Sequence, residues 1–235
     1  MHYNPDDILK FGKMFSESNP FTGDVWLHRD DPFSNSDEFY RILKGLELKR
    51  GDKVLYVGTG SGYGTYVFSN IVGNEGEVYS YEIDRENMRM AKENLERVSH
   101  PNNINLILGD GLNQSRENYF DKVMLAAAGP LEIKDLKNQI IEKNALKNGL
   151  LNNLSKKTKT DGIIVLPMGK LENILEPVCY GDIFRVKNLE DKLSITKIDS
   201  DYKKWSILTG ESGFSKKEIE KVSSENSLLD MELLS

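Results

Sequence analysis

The chain has 235 residues and a formal net charge of −6 at pH 7, with 38% hydrophobic and 29% charged residues. This composition is typical of a globular domain with a sizeable core, and the acidic balance argues against a surface made to bind nucleic acid. A single cysteine, Cys179, excludes an internal disulfide framework and a cluster of thiolate metal ligands.

The first fifty residues are predicted to form two helices separated by an irregular polar loop. Residues 5–16 carry apolar side chains at helical spacing, and a proline occupies the first position of this helix. In the loop at 26–36, His28 is either a catalytic base or an ordinary surface histidine. Ser36 suits an N-cap, and a second helix is predicted to follow it as far as Leu46.

A short apolar strand at residues 54–57 leads directly into a turn with glycine at every second position. The sequence from Gly58 to Gly62 is Gly-Thr-Gly-Ser-Gly, and apolar residues at helical spacing follow it as far as Val72. Glycine lets the backbone turn sharply and lets a ligand lie against it, while the free amides of the helix face the turn. The pattern therefore predicts a strand, a ligand-binding turn and a helix.

Two other glycine motifs do not fit this turn. The dinucleotide motif G-x-G-x-x-G requires glycine at position 63 or 65, where Tyr63 and Thr65 stand. A nucleophile elbow, G-x-S-x-G, fails because Ser61 has no glycine two residues to either side. A plain turn without a ligand remains an alternative, whereas G-x-G-x-G suits S-adenosylmethionine better than a pyrophosphate.

Two acidic residues follow later strands at the same predicted edge of the sheet. Glu82 ends a strand predicted at 77–82, and Asp110 follows a strand at 104–108 and has a glycine on each side. Asp84 is predicted to cap the helix between these strands. In open parallel sheets, ligands bind outside the carboxyl ends of the strands. A carboxylate at Glu82 can accept both hydroxyl hydrogens of a ribose, and Asp110 can pair with an adenine amino group; a solvated charge and a plain turn are the alternatives.

The remaining elements are predicted from residue 120 onward. A strand at 120–128 ends in three alanines, a helix at 133–154 leads into a lysine-rich turn, and a strand follows at 161–167. Beyond it we expect four short strands, a closing helix and a tail. The strands are predicted at 174–180, 183–187, 193–198 and 205–208, and the helix at 215–222.

Strands alternate with helices through most of the chain, which predicts an α/β fold. We expect a doubly wound, mostly parallel sheet with helices on both faces, as in Rossmann-like class I methyltransferases. Three regions are predicted: an N-terminal acceptor-side segment (1–50), a cofactor-binding core (51–170), and C-terminal strands that complete the sheet before a tail (171–235). The glycine turn, Glu82 and Asp110 together describe a site for S-adenosylmethionine. In this site, the turn lies against the amino-acid part of the cofactor.

Several motifs resemble those of the protein-L-isoaspartate O-methyltransferases, from about Phe33 to about Gly169. They are Val54-Leu55, Gly58-Thr59-Gly60-Ser61-Gly62-Tyr63, Val78-Tyr79-Ser80-Tyr81-Glu82, Gly109-Asp110-Gly111, Phe120-Asp121 with Ala126-Ala127-Ala128, and Val165-Leu166-Pro167-Met168-Gly169. The resemblance implies that Ser34 supplies the active-site hydroxyl. It also implies a set of residues that bind S-adenosylmethionine: Gly58, Thr59, Gly60, Ser61, Gly62, Tyr63, Glu82, Ile83, Asp110, Gly111 and Ala126.

The sequence departs from the family pattern in three places. Tyr56 stands where the family normally has an acidic residue. The family's proline- and glutamine-rich segment around its hydroxyl is not recognisable in residues 30–36. Residues 130–160 are longer than the family's usual short connection. The resemblance is therefore closer on the cofactor side than on the acceptor side.

The expected activity is methylation of an isoaspartyl or aspartyl carboxyl group in a protein or peptide. A carboxyl group with a pKa of about 4 is already a nucleophile at neutral pH, so the protein must mainly align the reactants and exclude water. This chemistry needs no metal. Two other interpretations remain, a methyltransferase for RNA or a small molecule and a cofactor-binding module without catalysis.

The same features predict where the protein works and with which partners. We expect a protein or peptide substrate, no nucleic-acid partner, no membrane partner and a monomer. The polar, acidic start of the chain does not resemble a secretory signal, and no apolar run is long enough for a membrane span. The cytoplasm is the expected location.

Overall fold

A computed structural model describes residues 36–98, 102–127, 129–130, 139–146, 149–172 and 178–206. The helices are α1 (Ser36–Leu46), α2 (Tyr63–Val72), α3 (Arg85–Glu96) and α4 (Leu150–Lys157). The strands are β1 (Lys53–Val57), β2 (Glu77–Glu82), β3 (Ile104–Leu108), β4 (Phe120–Leu125), β5 (Gly129–Pro130), β6 (Gln139–Glu142), β7 (Thr158–Glu172), β8 (Val178–Asn188) and β9 (Lys192–Ser206). None of the described helices is both long and apolar enough to cross a membrane.

These strands form one sheet in the order β3-β2-β1-β4-β7-β8-β9-β6, and β5 pairs with β7. Neighbouring strands from β3 to β7 in this order are parallel. The pairs β7-β8, β8-β9 and β9-β6 are antiparallel. The strand order reverses at β1, because β2 lies on one side of it and β4 on the other. Ligand sites of open α/β sheets lie outside the carboxyl ends of the strands at such a point.

Helices cover both faces of this sheet, because successive strand residues point to opposite faces. In β1, Val54 and Tyr56 belong to the core that α1 and α2 cover, whereas Leu55 and Val57 belong to the core that α4 covers. A strand buried on both faces must be apolar along nearly its whole length. The predicted fold class, a mostly parallel α/β sheet of the class I methyltransferase type, is confirmed.

The prediction of a helix at 133–154 is wrong for much of the part that the structure describes. Gln139–Glu142 is strand β6 and pairs antiparallel with β9. Lys143–Ala145 forms a single 3-10 turn, and the described α-helix is Leu150–Lys157. The predicted lysine-rich turn is also wrong, because Lys156 and Lys157 still belong to α4. Residues 139–142 alternate between half-buried and exposed, which is the period of a strand on the outer edge of a sheet. Pairing with β9 decided the conformation here rather than local helix propensity.

The short strands predicted near the C-terminus are parts of longer strands. β8 and β9 each run through a stretch that was predicted as a break between two strands. At Gly181 a side chain would overlap the carbonyl oxygen of Met168 in β7, so glycine here permits a close approach of two backbones. The register between β8 and β9 shifts beside it, from Gly181 to Phe184. The glycine therefore marks an irregularity within a strand rather than a turn.

Other boundaries agree more closely with the prediction. β2 and β3 occupy the predicted residues, whereas β4 ends at Leu125, three residues early. The strand predicted at 161–167 lies within the longer β7. The predicted helices at 5–16 and 215–222, the tail and His28 lie outside the described residues. The division into three regions stays a prediction.

Candidate functional site

The glycine turn joins β1 to α2 at the centre of the sheet. Gly58, Gly60 and Gly62 have φ values of +96°, +54° and +88°, a backbone region that side chains disfavour. A side chain at Gly58 would also approach Cβ of Ala126 to 3.1 Å. α2 begins without a side-chain cap and without an acidic residue in its first turn. The first amide group, on Tyr63, already donates to Oγ of Ser61 at 3.4 Å. The amide groups that follow it in the first turn face the same end of the helix and can donate to a ligand beside the turn.

Glu82 closes this turn from the end of β2. Its side chain is only 6% exposed. Oε2 accepts a hydrogen bond from the backbone N–H of Gly60 at 2.9 Å. Oε1 accepts from the N–H groups of Ile83 at 2.9 Å and Asp84 at 3.0 Å. A carboxylate offers about four acceptor positions, so three such bonds leave room for a ligand hydroxyl. Glu82 thus anchors the turn, a role that the sequence did not predict, and it can still contact a ribose.

The ends of β2 and β3 lie side by side, because the N–H of Gly109 donates to the carbonyl of Glu82 at 2.8 Å. Asp110 follows, and its Oδ1 accepts from the N–H of Leu112 at 2.8 Å. At Gly111 a Cβ would lie 2.8 Å from a methyl group of Val57, so the backbone here passes directly over β1. This arrangement places Asp110 at the strand end next to that of Glu82.

Ile83 extends the same edge with an apolar surface. Its side chain is 70% exposed, although it directly follows the buried Glu82. An exposed aliphatic side chain at this edge suits the face of an aromatic ring better than it suits water. Glu82, Ile83 and Asp110 can therefore receive a nucleoside, with hydroxyl groups at one end and a flat base at the other.

Two of the predicted cofactor residues turn their side chains away from such a ligand. Thr59 and Ser61 are 2% and 3% exposed. The Thr59 hydroxyl forms a hydrogen bond of 2.7 Å with that of Ser80, which forms another of 2.7 Å with that of Thr65. The side chains of Thr59 and Ser61 therefore face the protein, and the N–H and carbonyl of Thr59 are bonded as well, to Tyr81 and Gly62. Ser80 belongs to the site although nothing in its local sequence distinguished it.

The other predicted residues lie at the same edge. Ala126 follows β4, and its N–H donates to the carbonyl of Val57 at 2.9 Å. The ring of Tyr63 lies 5.2 Å from the ring of Phe39 in α1, so a helix of the predicted acceptor-side segment contacts the start of α2. Ser34 itself lies outside the described residues. Thus the predicted cofactor residues come together at the ends of four neighbouring strands.

The loop after Asp110 is supported from α4 by a buried lysine. Nζ of Lys157 donates to the carbonyl of Gln114 at 2.8 Å, and the residue is 7% exposed. Burial lowers the pKa of its ammonium group. The hydrogen bond from this buried cation connects the loop to the helix. The lysine-rich local sequence did not predict this role for Lys157.

Tyr56, the residue in place of the family's acid, packs beneath the start of α2. It is 1% exposed, and its ring lies 5.1 Å from that of Phe68 in an edge-to-face arrangement. A Cβ added to Gly64 would lie 2.8 Å from the Tyr56 hydroxyl oxygen and 3.0 Å from two ring atoms. Gly64 therefore accommodates the tyrosine, and the two residues form a fitted pair under the glycine turn.

We expect Gly64→Ala to lower the free energy of unfolding by about 1–2 kcal/mol, although alanine favours helices, because the new methyl group overlaps Tyr56. Tyr56→Phe removes the nearest atom and should relieve part of this loss. Urea unfolding of both single variants and the double variant gives their coupling energy. Strictly additive effects of the two substitutions would contradict the fitted pair.

The class follows from this geometry: a glycine turn and two carboxylates meet where the strand order of a class I methyltransferase fold reverses. The family model for protein-L-isoaspartate(D-aspartate) O-methyltransferase (PCMT) matches residues 16–176. The chain belongs to this family, and the predicted resemblance is confirmed.

Curated relatives carry the same family name. A protein-L-isoaspartate O-methyltransferase of Methanothrix thermoacetophila is 43% identical over 96 residues, which cover 40% of this chain and 45% of the relative. One of Thermosipho melanesiensis is 31% identical over 156 residues, covering 62% and 69%. The chain spans about half the length of most of the curated relatives it matches.

A solved structure has a similar fold. The crystal structure of a Plasmodium falciparum protein, described as a protein-L-isoaspartate O-methyltransferase in complex with S-adenosyl-L-homocysteine, aligns with a TM-score of 0.54. The alignment covers 84% of this chain and 88% of that chain at 14% identity. This similarity supports the fold.

Proposed function

We propose that the chain is an S-adenosylmethionine-dependent methyltransferase that methylates isoaspartyl or aspartyl carboxyl groups of a protein or peptide. One observation carries the proposal: in a chain of the PCMT family, the glycine turn, Glu82 and Asp110 converge at neighbouring strand ends. The turn receives the amino-acid part of the cofactor, Glu82 a ribose hydroxyl, and Asp110 with Ile83 the adenine. The fit rests on the positive φ values of the turn and on the remaining acceptor capacity of Glu82.

When bound, S-adenosylmethionine supplies a methyl group that its sulfonium already activates. The chain has to hold the acceptor carboxylate in line with that group and keep water out, and such positioning is worth several kcal/mol. Most N–H groups of the glycine turn are bonded within the protein, so amide groups in the first turn of α2 orient the cofactor's carboxylate through hydrogen bonds. Ser34 donates a hydrogen bond that orients the acceptor carboxyl group. No protein base is required, because the acceptor is already anionic at neutral pH.

The same proposal covers partners and location. The substrate is a protein or peptide, and the net charge of −6 supports the absence of a nucleic-acid partner. We propose a cytoplasmic monomer without a membrane partner. The proposed regions are an acceptor side at 1–50, a cofactor core at 51–170, and C-terminal strands followed by a tail at 171–235.

The test is methyl transfer from labelled S-adenosylmethionine to an isoaspartyl peptide, beside its normal aspartyl twin. Binding of S-adenosylhomocysteine is measured by calorimetry on the same sample. Base-labile label on the isoaspartyl peptide alone supports repair of isoaspartyl groups. Binding without transfer to either peptide would overturn the carboxyl acceptor in favour of RNA, a small molecule or a module without catalysis. The absence of any binding would overturn the methyltransferase itself.

For Ser34→Ala we expect methyl transfer to the peptide to fall by about a hundredfold, because one positioned donor at the reacting group is lost. Affinity for S-adenosylhomocysteine should not change. Ser36→Ala, two residues further along, is the matched control and should retain transfer. An unchanged transfer rate in Ser34→Ala would remove this serine from the site.

A further inference from the structure

Three consecutive residues of the glycine turn are each held by a buried side chain from outside the turn. The three pairs are Thr59 with Ser80 at 2.7 Å, Gly60 with Glu82 at 2.9 Å, and Ser61 with Asn94 at 2.8 Å. Two of these side chains come from β2, whereas Asn94 comes from α3. The helix that follows β2 therefore contacts the turn that precedes α2, a link between residues 33 positions apart.

Asn94 lies on the apolar face of α3, where a buried amide side chain needs a hydrogen-bond partner. It is 5% exposed, and Nδ2 donates to the backbone carbonyl of Ser61. Ala91, one turn earlier on the same face, contacts the backbone so closely that a Cβ at Gly62 would lie 3.3 Å from it. Asparagine is unfavourable within a helix because its amide competes for backbone groups. Here the amide forms its hydrogen bond with the backbone of the glycine turn instead of with the backbone of its own helix.

The bond from Asn94 determines how one peptide group of the turn is oriented. The carbonyl of Ser61 faces Asn94, while the N–H of the same peptide, on Gly62, donates to the carbonyl of Thr59 at 3.0 Å. Both polar ends of this peptide are thus bonded. Glycine at position 62 resists rotation of the peptide only weakly. Without Asn94, the bond from the Gly62 N–H alone would restrain this peptide more weakly than the two bonds together, and the carbonyl oxygen could turn toward a ligand along the turn, where it would repel an anionic group.

We propose that Asn94 is a positioning residue of the cofactor site, which holds the Ser61–Gly62 peptide in the orientation that a bound S-adenosyl compound requires. This inference rests on the proposed function. Asn94 does not contact the ligand; it acts through the backbone of the turn. Its loss therefore weakens cofactor binding and leaves the methyl-transfer step itself intact.

The structure offers a matched control in Asn103. This asparagine is 7% exposed, and its Nδ2 donates to the carbonyls of Ser69 and Gly73 at the opposite end of α2. Both asparagines are buried, and both bind backbone carbonyls beside the same helix. Only Asn94 is bonded to the glycine turn. Replacing each by alanine separates an effect on the turn from general destabilisation.

The experiment measures calorimetric binding of S-adenosylhomocysteine to the full chain, together with thermal stability, for Asn94→Ala and Asn103→Ala. Both variants should lose stability. We expect Asn94→Ala to lower the affinity by about tenfold, whereas Asn103→Ala stays within about twofold of the wild type. In steady-state transfer assays, Asn94→Ala should raise KM for S-adenosylmethionine and leave kcat nearly unchanged.

Other outcomes would contradict the role proposed for Asn94 or the proposed function. Equal loss of affinity in both variants, or none in Asn94→Ala, overturns the positioning role while the proposed function stands. A wild-type chain that binds no S-adenosylhomocysteine overturns the proposed function and this inference with it. If Asn94→Ala does not fold, Asn94→Asp keeps the volume and removes the donor, and it should show the same loss; affinity equal to that of the wild type would overturn the proposal.

Discussion

We expect Glu82→Gln to weaken binding of S-adenosylhomocysteine by about a hundredfold, the largest effect of any single substitution in the site. Both carboxylate oxygens now accept from backbone N–H groups, Gly60 on one side and Ile83 with Asp84 on the other. An amide has only one oxygen, so its NH₂ group must face at least one of these donors. The turn then loses its anchor on β2, and the ribose loses a charged acceptor at the same time.

Glu86→Gln is the matched control for this substitution. Glu86 lies in the first turn of α3, its side chain is 78% exposed, and it pairs with Arg89 at 3.1 Å. The same chemical change there removes a surface ion pair that water and salt screen, so the affinity for S-adenosylhomocysteine should not change. Calorimetric titration of both variants, with thermal unfolding of the free proteins, measures the two effects. Affinity in Glu82→Gln equal to that in Glu86→Gln would exclude Glu82 from the cofactor site.

Asn188→Asp should have the largest effect on folding, a loss of about 3–5 kcal/mol of unfolding free energy at neutral pH. Asn188 is 2% exposed at the end of β8. Its Nδ2 donates to the carbonyls of Ser155, Thr158 and Lys159, at distances from 2.7 to 3.1 Å. These carbonyls lie where α4 ends and β7 begins. A carboxylate in this position would face three carbonyl oxygens with no hydrogen to offer them.

The effect of Asn188→Asp should depend on pH in a definite direction. Burial beside carbonyl oxygens raises the pKa of the introduced carboxyl group above its unfolded value of about 3.9. Its contribution to stability is then present below that value and is lost as the pH rises through the folded-state pKa. Urea unfolding of wild type and variant from pH 4 to 8 should therefore show a difference that grows toward neutral pH.

Asn70→Asp is the control, because the Asn70 side chain is only half-buried and donates to a single carbonyl, that of Tyr66, at 2.8 Å. Water can solvate a carboxylate there, so we expect a loss of about 1 kcal/mol or less. Comparable losses at both positions, or a loss at Asn188 that does not change with pH, would show that the three carbonyls are not what makes this site sensitive.

The two substitutions test the two halves of the molecule. Glu82 lies in the parallel half, where the local sequence was informative, and Asn188 lies in the antiparallel half, where it was not. Loss of the first should leave a folded protein with a weakened site. Loss of the second should unfold the junction between α4 and β7 while the glycine turn keeps its geometry.

By itself, the sequence determined those features whose cause lies within a few residues. Alternating glycines produced a turn because three positions need positive φ, and Asp84 caps α3 because its Oδ1 accepts from Asn87 N–H at 2.9 Å, three residues on. β1 is apolar from Val54 to Val57 because it is buried on both faces, so it could be predicted directly. These signals placed the predicted cofactor residues at one edge of the sheet.

Only the tertiary structure decided the features whose partners are distant in the chain. β6 is a strand because β9 presents an edge more than fifty residues later. Asn94 and Ser80 hold the glycine turn through bonds across 33 and 21 positions, and Tyr56 fits because Gly64 leaves it space. A helical pattern or a buried amide looks the same in sequence whichever partner it meets. Local propensity is weak, and pairing or burial against a distant element outweighs it.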